Sequence, residues 1–242
     1  MSVNDFIRSD YDIDLDDFYD FVDLYQETKQ PIAYLCNLEI FCGYEFYIDK
    51  RVLIPRVETE ELVEHVYNYI INNYQKDSEI SILDLCCGSG IIGISLYLKL
   101  QDKYRINLTM SDISSKALEV TKINLDKHNI TNVNLVASDL LTNIDKNSYF
   151  DIIVTNPPYV PSTRTLDELV LAEPHLALFS GEDGMDCYNQ LFNQLQEFKN
   201  WNVLFGEYDP TQTDIMNSIN NTTTFTSLDG QYRFLESYNE NH

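Results

Sequence analysis

Ile80-Ser81-Ile82-Leu83-Asp84-Leu85 runs directly into Cys86-Cys87-Gly88-Ser89-Gly90 and then into Ile91-Ile92-Gly93-Ile94. The first stretch is short, apolar and β-branched, and reads as a buried strand; the second is a glycine-containing turn; the third opens a helix. A strand, a tight turn and a helix in immediate succession form the first unit of a doubly wound α/β sheet, whose turn lets a ligand approach the backbone. The spacing is not Gly-x-Gly-x-x-Gly and no phosphate-loop lysine follows. Neither a dinucleotide pyrophosphate nor a nucleoside triphosphate is therefore the favoured ligand.

The pattern repeats. A second strand over Ile106 to Met110 ends at Ser111-Asp112, followed by a helix over 114 to 128. An acid there can accept from a ribose diol, and it can equally cap the helix starting near Ser114. A third strand, Val133 to Ala137, leads to Ser138-Asp139-Leu140, where Asp139 again stands just past a strand end. Open α/β sheets gather their ligand contacts at such ends. The fourth strand, Phe150-Asp151-Ile152-Ile153-Val154-Thr155, stops at Asn156-Pro157-Pro158-Tyr159. Two prolines remove two backbone donors and hold Asn156 extended, leaving its carboxamide and the following carbonyls in one space. That set suits a planar group carrying an NH2, with Tyr159 as a face to stack on; Asn-Pro alone marks only a turn.

Upstream, Leu15, Phe18, Val22 and Tyr25 recur at helical spacing within an acidic stretch and predict one amphipathic helix, packed on its own domain or docking a partner. Glu39 to Ile48 reads as an aromatic hairpin turned at Gly43, a lid or wall. Pro55 ends the next strand, and a helix begins near Glu58 and runs through Leu62, Val66, Tyr69 and Ile70. Downstream, Pro161 to Glu173 is a long polar connection, a helix covers Cys187 to Phe198, and Val203 to Glu207 is a fifth strand. Residues 211 to 220 read as helix, and Thr222 to Leu228 pairs with Gln231 to Tyr238 across Asp229-Gly230. The expected division is 1–55, a short helix plus aromatic hairpin, and 56–242, a catalytic domain.

Thirty-nine acidic residues against sixteen basic ones, a formal charge of -23, repel a phosphate backbone, so direct nucleic-acid binding is disfavoured, while a basic protein would be steered in. The five cysteines, odd in number and without a CxxC pair, fit a reduced cytoplasm, and the four histidines lack metal-ligand spacing. No signal peptide or membrane-spanning run is present in the sequence, and a soluble, cytoplasmic monomer without a metal is expected.

Several stretches, in order, resemble the bacterial release factor glutamine methyltransferases, the PrmC/HemK family: Pro31-Ile32-Ala33-Tyr34-Leu35, Leu53-Ile54-Pro55-Arg56-Val57-Glu58-Thr59-Glu60, Asp84 to Gly90, Asn156-Pro157-Pro158-Tyr159 and Glu173-Pro174. The resemblance covers residues from about 30 to the end and implies a class I S-adenosylmethionine-dependent methyltransferase fold, α/β, with a seven-stranded mostly parallel sheet closed by an antiparallel hairpin. It further implies that Asp84 and the turn Cys86, Cys87, Gly88, Ser89 and Gly90 hold the methionine part of S-adenosyl-L-methionine, Asp112 the ribose, and Asp139 with Leu140 the adenine. Asn156, Pro157, Pro158 and Tyr159, with Arg56 and Glu58, would bind a glutamine side chain. Of these, Asn156, Pro157 and Tyr159 would be the catalytic set, and S-adenosyl-L-homocysteine the product.

The implied substrate is the glutamine of the Gly-Gly-Gln loop of peptide chain release factors. A ribosomal-protein glutamine is the sister alternative, and an adenine amine of nucleic acid a more distant one. The sequence departs from the family pattern at Cys86, where a glycine is common, and at Val57, where a proline is usual. It departs also before Pro31, where about one helix stands in place of a longer docking domain, and at Lys199-Asn200-Trp201, which replaces a glycine-rich turn. The adjacent cysteines, with no Lys, Arg or His nearby in the turn, read as packing residues rather than nucleophiles.

Overall fold

The computed structural model describes residues 23–239. Leu15, Phe18 and Val22 of the expected amphipathic helix lie outside them, while residues 23–28 are helical. A short helix, α1 (Ile32–Cys36), follows, and then strands β1 (Glu39–Phe41) and β2 (Tyr44–Phe46) pair antiparallel. Cys42 and Gly43 between them both have positive φ, the geometry that brings two strands back in a two-residue turn. The hairpin is shorter than the sequence suggests, ending at Phe46 because the chain turns toward the body of the protein.

Helix α2 (Val57–Asn73) buries Thr59, Leu62, Val63, Val66 and Ile70, a stripe at helical spacing. Val57 is its first residue, where a missing N–H costs nothing, so proline and valine are both tolerated there. The main sheet then assembles from β3 (Glu79–Leu85), β4 (Arg105–Asp112), β5 (Asn134–Ala137), β6 (Phe150–Thr155), β7 (Trp201–Glu207), β8 (Thr222–Thr226) and β9 (Tyr232–Tyr238). Its seven strands lie in the order β5-β4-β3-β6-β7-β9-β8. The first five are parallel, and β9 inserts antiparallel between β7 and β8. This is the expected mixed α/β methyltransferase-type architecture, with α3 (Ile91–Leu100) and α4 (Ser115–Lys127) as crossovers.

Because side chains alternate along a strand, each face of the sheet has its own core. Ile152 and Val154 of β6 pack with Leu62, Val66, Ile94 and Val120 of the helices on one face. Ile153 packs on the other with Tyr188, Leu191 and Leu195 of a further helix over Asp186–Glu197. Phe41, Phe46, Ile48 and Val52 join the first core, so the hairpin is built onto the sheet domain.

The long connection after β6 is not wholly irregular: α5 (Glu168–Leu171), capped by Asp167, and α6 (His175–Leu178) precede α7 (Asp186–Glu197). The expected helix over 211 to 220 is shorter, a 3-10 turn at Pro210–Gln212 followed by α8 (Thr213–Asn217), because Asp209 caps the turn and the chain must reach the edge strand β8. Among the described residues no helix is long and apolar enough to cross a membrane.

Candidate active site

Strand register places the site. Leu85 lies opposite Ser111 and Thr155, Asp112 opposite Ala137, and Gly206 opposite Thr155. One step further along each strand come Cys86, Ser138, Asn156 and Glu207, together with Asp112 at the end of its own strand. These groups therefore line up along the carboxyl edge of the sheet, where β3 and β6 diverge to opposite connections. A cavity of about 340 Å³ opens there.

On one side the cavity is walled by Cys86, Cys87, Gly88, Ser89, Asp112, Asp139 and Leu140, and on the other by Arg56, Thr59, Asn156 and Pro158. Asp84, Gly90, Pro157, Tyr159 and Glu58 adjoin these residues in sequence without lining the cavity themselves. Asp84 is completely buried, and its Oδ2 accepts from Gly93 N at 2.9 Å, locking the start of α3 against β3. Its Oδ1 has no partner, and burial pushes the carboxyl up to about 7.

Asp112 is not the cap of α4; Ser114 takes that role, accepting from Ala117 N at 3.2 Å. Asp112 instead accepts from Gly88 N at 2.9 Å and from Ser114 N at 2.8 Å. Burial raises its carboxyl above the ordinary range, and those backbone donors offset only part of that rise. Cys86 adopts a φ of 56°, the left-handed conformation that accounts for a glycine being common at this position. The neighbouring Cys187 thiol and then burial raise the Cys86 thiol well above its ordinary value. Burial does the same to Cys87, so neither is an activated nucleophile.

Residues that the motifs did not single out hold this wall together. Thr121 Oγ1 donates to Gly88 O at 2.8 Å. Buried Asn124 donates to Ser89 O at 2.8 Å and to Tyr47 O at 3.0 Å, and accepts from Tyr47 N at 2.7 Å, tying the hairpin to the glycine turn. A polar residue on the inner stripe of a helix was the available signal. Glu173, which the Glu173-Pro174 motif did single out, accepts from Ile54 N at 2.9 Å and from Arg56 at 2.6 Å, joining two segments that line the cavity.

Behind Asn156 lies a buried polar set. Its Nδ2 donates to Thr59 Oγ1 at 3.2 Å, Thr59 Oγ1 donates to Glu207 Oε2 at 2.7 Å, and the Tyr159 hydroxyl donates to Glu207 Oε1 at 2.8 Å. Gln212 Nε2 donates to Tyr159 O at 3.0 Å, fixing the end of the Asn-Pro-Pro-Tyr loop. Glu207 was legible only as the last residue of a strand, and Thr59 only as the middle of an acidic motif.

The wall suits a cationic ligand with a diol. A Cβ placed on Gly88 would meet no atom within 4 Å, so the backbone there faces open space. The carboxylates of Asp112 and Asp139 lie on the wall, while the wall guanidinium of Arg51 is engaged by Asp49 and Glu119, and that of Arg56 by Glu173. The Asp112 oxygens keep lone pairs beyond those spent on Gly88 and Ser114.

Residues 59–174 match the profile of the family described as "Methyltransferase small domain". The release factor glutamine methyltransferase of Mycoplasma mycoides is 31% identical over 220 residues, covering 88% of this chain and 74% of that protein. The one from Clostridium acetobutylicum is 38% identical, covering 73% and 61%, and the ribosomal protein uL3 glutamine methyltransferase of Francisella tularensis is 37% identical, covering 78% and 59%. The chain thus spans about three fifths of the length of the latter two relatives. Among solved structures, a Thermus thermophilus 16S rRNA N2 G1207 methyltransferase, in complex with AdoMet and guanosine, superposes with a TM-score of 0.56 at 15% identity, covering 84% of this chain and 50% of that one. That likeness is one of fold. With the mixed sheet, the motif order and the extent of the match to the Mycoplasma protein, the chain belongs to the release factor glutamine methyltransferase family.

Proposed function

We propose that this protein transfers a methyl group from S-adenosyl-L-methionine to the side-chain amide nitrogen of the glutamine in the Gly-Gly-Gln loop of peptide chain release factors, leaving S-adenosyl-L-homocysteine. The observation that carries the reading is the position of Asn156, on the cavity wall with its Nδ2 committed to Thr59 and therefore with Oδ1 left for a substrate N–H. When bound, the cofactor supplies an electrophilic methyl group. Gly88 and Ser89 would carry its amino acid part on their backbone, Asp112 its diol, and Asp139 with Leu140 its base. Asp84 supports the turn from behind through Gly93.

The chemical difficulty is that an amide nitrogen shares its lone pair with the carbonyl. Acceptors on its two N–H groups, Asn156 Oδ1 and the Pro157 carbonyl, return electron density to nitrogen and hold it in line for transfer. Rigid prolines keep these acceptors in place without a hydrogen-bonded backbone. Tyr159 supports the loop through Glu207, and Arg56 with Glu58 borders the substrate side. We further propose a cytoplasmic monomer whose net charge of -23 steers a basic protein loop toward the site and disfavours nucleic acid. The relative named for uL3 supports a second reading, methylation of a ribosomal-protein glutamine.

The test is to incubate the protein with labelled S-adenosyl-L-methionine and an unmethylated release factor, with ribosomal protein uL3 and single-stranded DNA in parallel, and to locate the added mass by peptide mass spectrometry. One methyl on the Gly-Gly-Gln glutamine, lost in Asn156→Ala, is the expected result. Label only on uL3 selects the second reading, and label only on DNA overturns both.

A further inference from the structure

Glu207, Thr59, Asn156 and Tyr159 come from β7, α2 and the loop after β6, yet they share one hydrogen-bond set. Glu207 is 3% exposed and Thr59 1%. The set has a direction. A carboxylate has no proton to give, so both hydroxyls must donate to Glu207. Thr59 has a single hydroxyl proton; with that proton on Glu207, its oxygen can only accept from Asn156. A carboxamide facing an acceptor turns its NH2 toward it, and its oxygen is left pointing the other way.

We propose that ionised Glu207, acting through Thr59, sets the orientation of the Asn156 carboxamide, so that the site presents an acceptor and selects a substrate group that donates. Glu207 and Thr59 are thus positioning residues, and the inference rests on the reading of the cavity as a glutamine-methylating site. The same four groups have a second self-consistent arrangement. If residue 207 can donate, as a protonated carboxyl or a glutamine does, Thr59 accepts from it and donates to Asn156 Oδ1. Asn156 then turns its NH2 to the cavity, where it confronts the substrate NH2.

The neighbours of Glu207 pull its proton both ways. Burial and the Glu58 carboxylate favour the protonated form, while Thr59, Tyr159 and Arg233 favour the ionised one. The buried Tyr188 phenol also faces it, and Arg56 and Asp209 act on Tyr159 beside it. The net shift is upward, so the switch between arrangements falls above the ordinary glutamate range.

The experiment measures kcat and KM with the release factor, and the nitrogen-15 side-chain amide resonance of Asn156, assigned by its loss in Asn156→Ala. Both are followed from roughly pH 4 to 9 in the wild type and in Thr59→Ser, Thr59→Val and Glu207→Gln. Thr59→Ser should stay within about threefold of wild type, while Thr59→Val and Glu207→Gln lose about 100-fold in kcat with KM for the cofactor changed less than about threefold. In the wild type the Asn156 resonance should step with the acid limb of kcat, and the step should vanish in Thr59→Val. A Thr59→Val enzyme with wild-type kcat overturns the proposal, as does an Asn156 resonance that is flat with pH in the wild type and undisplaced in Glu207→Gln. If the wild type methylates no glutamine substrate, the proposed function fails, and the resonance alone still decides whether Glu207 orients Asn156.

Discussion

Gly88 donates its backbone N–H to Asp112 Oδ2 at 2.9 Å, which ties the turn after β3 to the end of β4. One carboxylate therefore shapes the turn and remains an acceptor on the cavity wall. Asp112→Ala removes both functions and should weaken S-adenosyl-L-methionine binding by about 1.5–3 kcal/mol, more than tenfold in Kd. Calorimetry on the variant is the check; an unchanged Kd would take Asp112 out of the site.

Asp84 is fully buried with one oxygen unpartnered, and its carboxyl titrates near 7 in the folded protein. A folded pKa above the unfolded value means that the native state binds the extra proton, so stability falls as pH rises from about 4 to about 7. Asp84→Asn keeps an acceptor for Gly93 and removes the buried charge. It should raise stability at pH 8 by on the order of 1–3 kcal/mol and flatten this slope. Urea midpoints between pH 5 and 8, compared with wild type, measure both effects.

Gly184 has a φ of 83°, and a Cβ there would sit 2.2 Å from Tyr159 O. Gly184→Ala must displace the end of the Asn-Pro-Pro-Tyr loop. A loss of about 1–3 kcal/mol in stability is expected, with kcat falling further than cofactor affinity. Thermal melts and paired kcat and Kd measurements separate these; an equal fall in both would place the damage in the glycine turn instead.

Arg56 and Glu173 pair at 2.6 Å with Glu173 side chain only 2% exposed, and Glu173 also holds Ile54 N. Arg56→Ala strands a buried carboxylate and should cost about 1–3 kcal/mol, whereas Glu173→Gln keeps the Ile54 contact and costs less. Both should raise KM for the protein substrate. Denaturation of the two single variants and the double variant gives the coupling, and a coupling near zero would mean that the pair does not join these segments.

Local pattern carried the elements. The apolar runs at Ile80–Leu85 and Phe150–Thr155, the positive-φ turn at Cys42-Gly43 and the Asp229-Gly230 hairpin depend on interactions within a few residues, so periodicity and turn chemistry sufficed. The motif order likewise located the cavity wall at Cys86 to Ser89, Asp112, Asp139 and Asn156. What tertiary structure alone decided is which partners the polar groups of that wall meet. Asn156 meets Thr59 across 97 positions of sequence, and Thr59 meets Glu207 across 148. No periodicity encodes such pairs. They exist because a parallel sheet brings the ends of β6 and β7 to one edge and α2 packs its buried face, Thr59 included, against them, where burial removes water and leaves each polar group only its neighbours for partners.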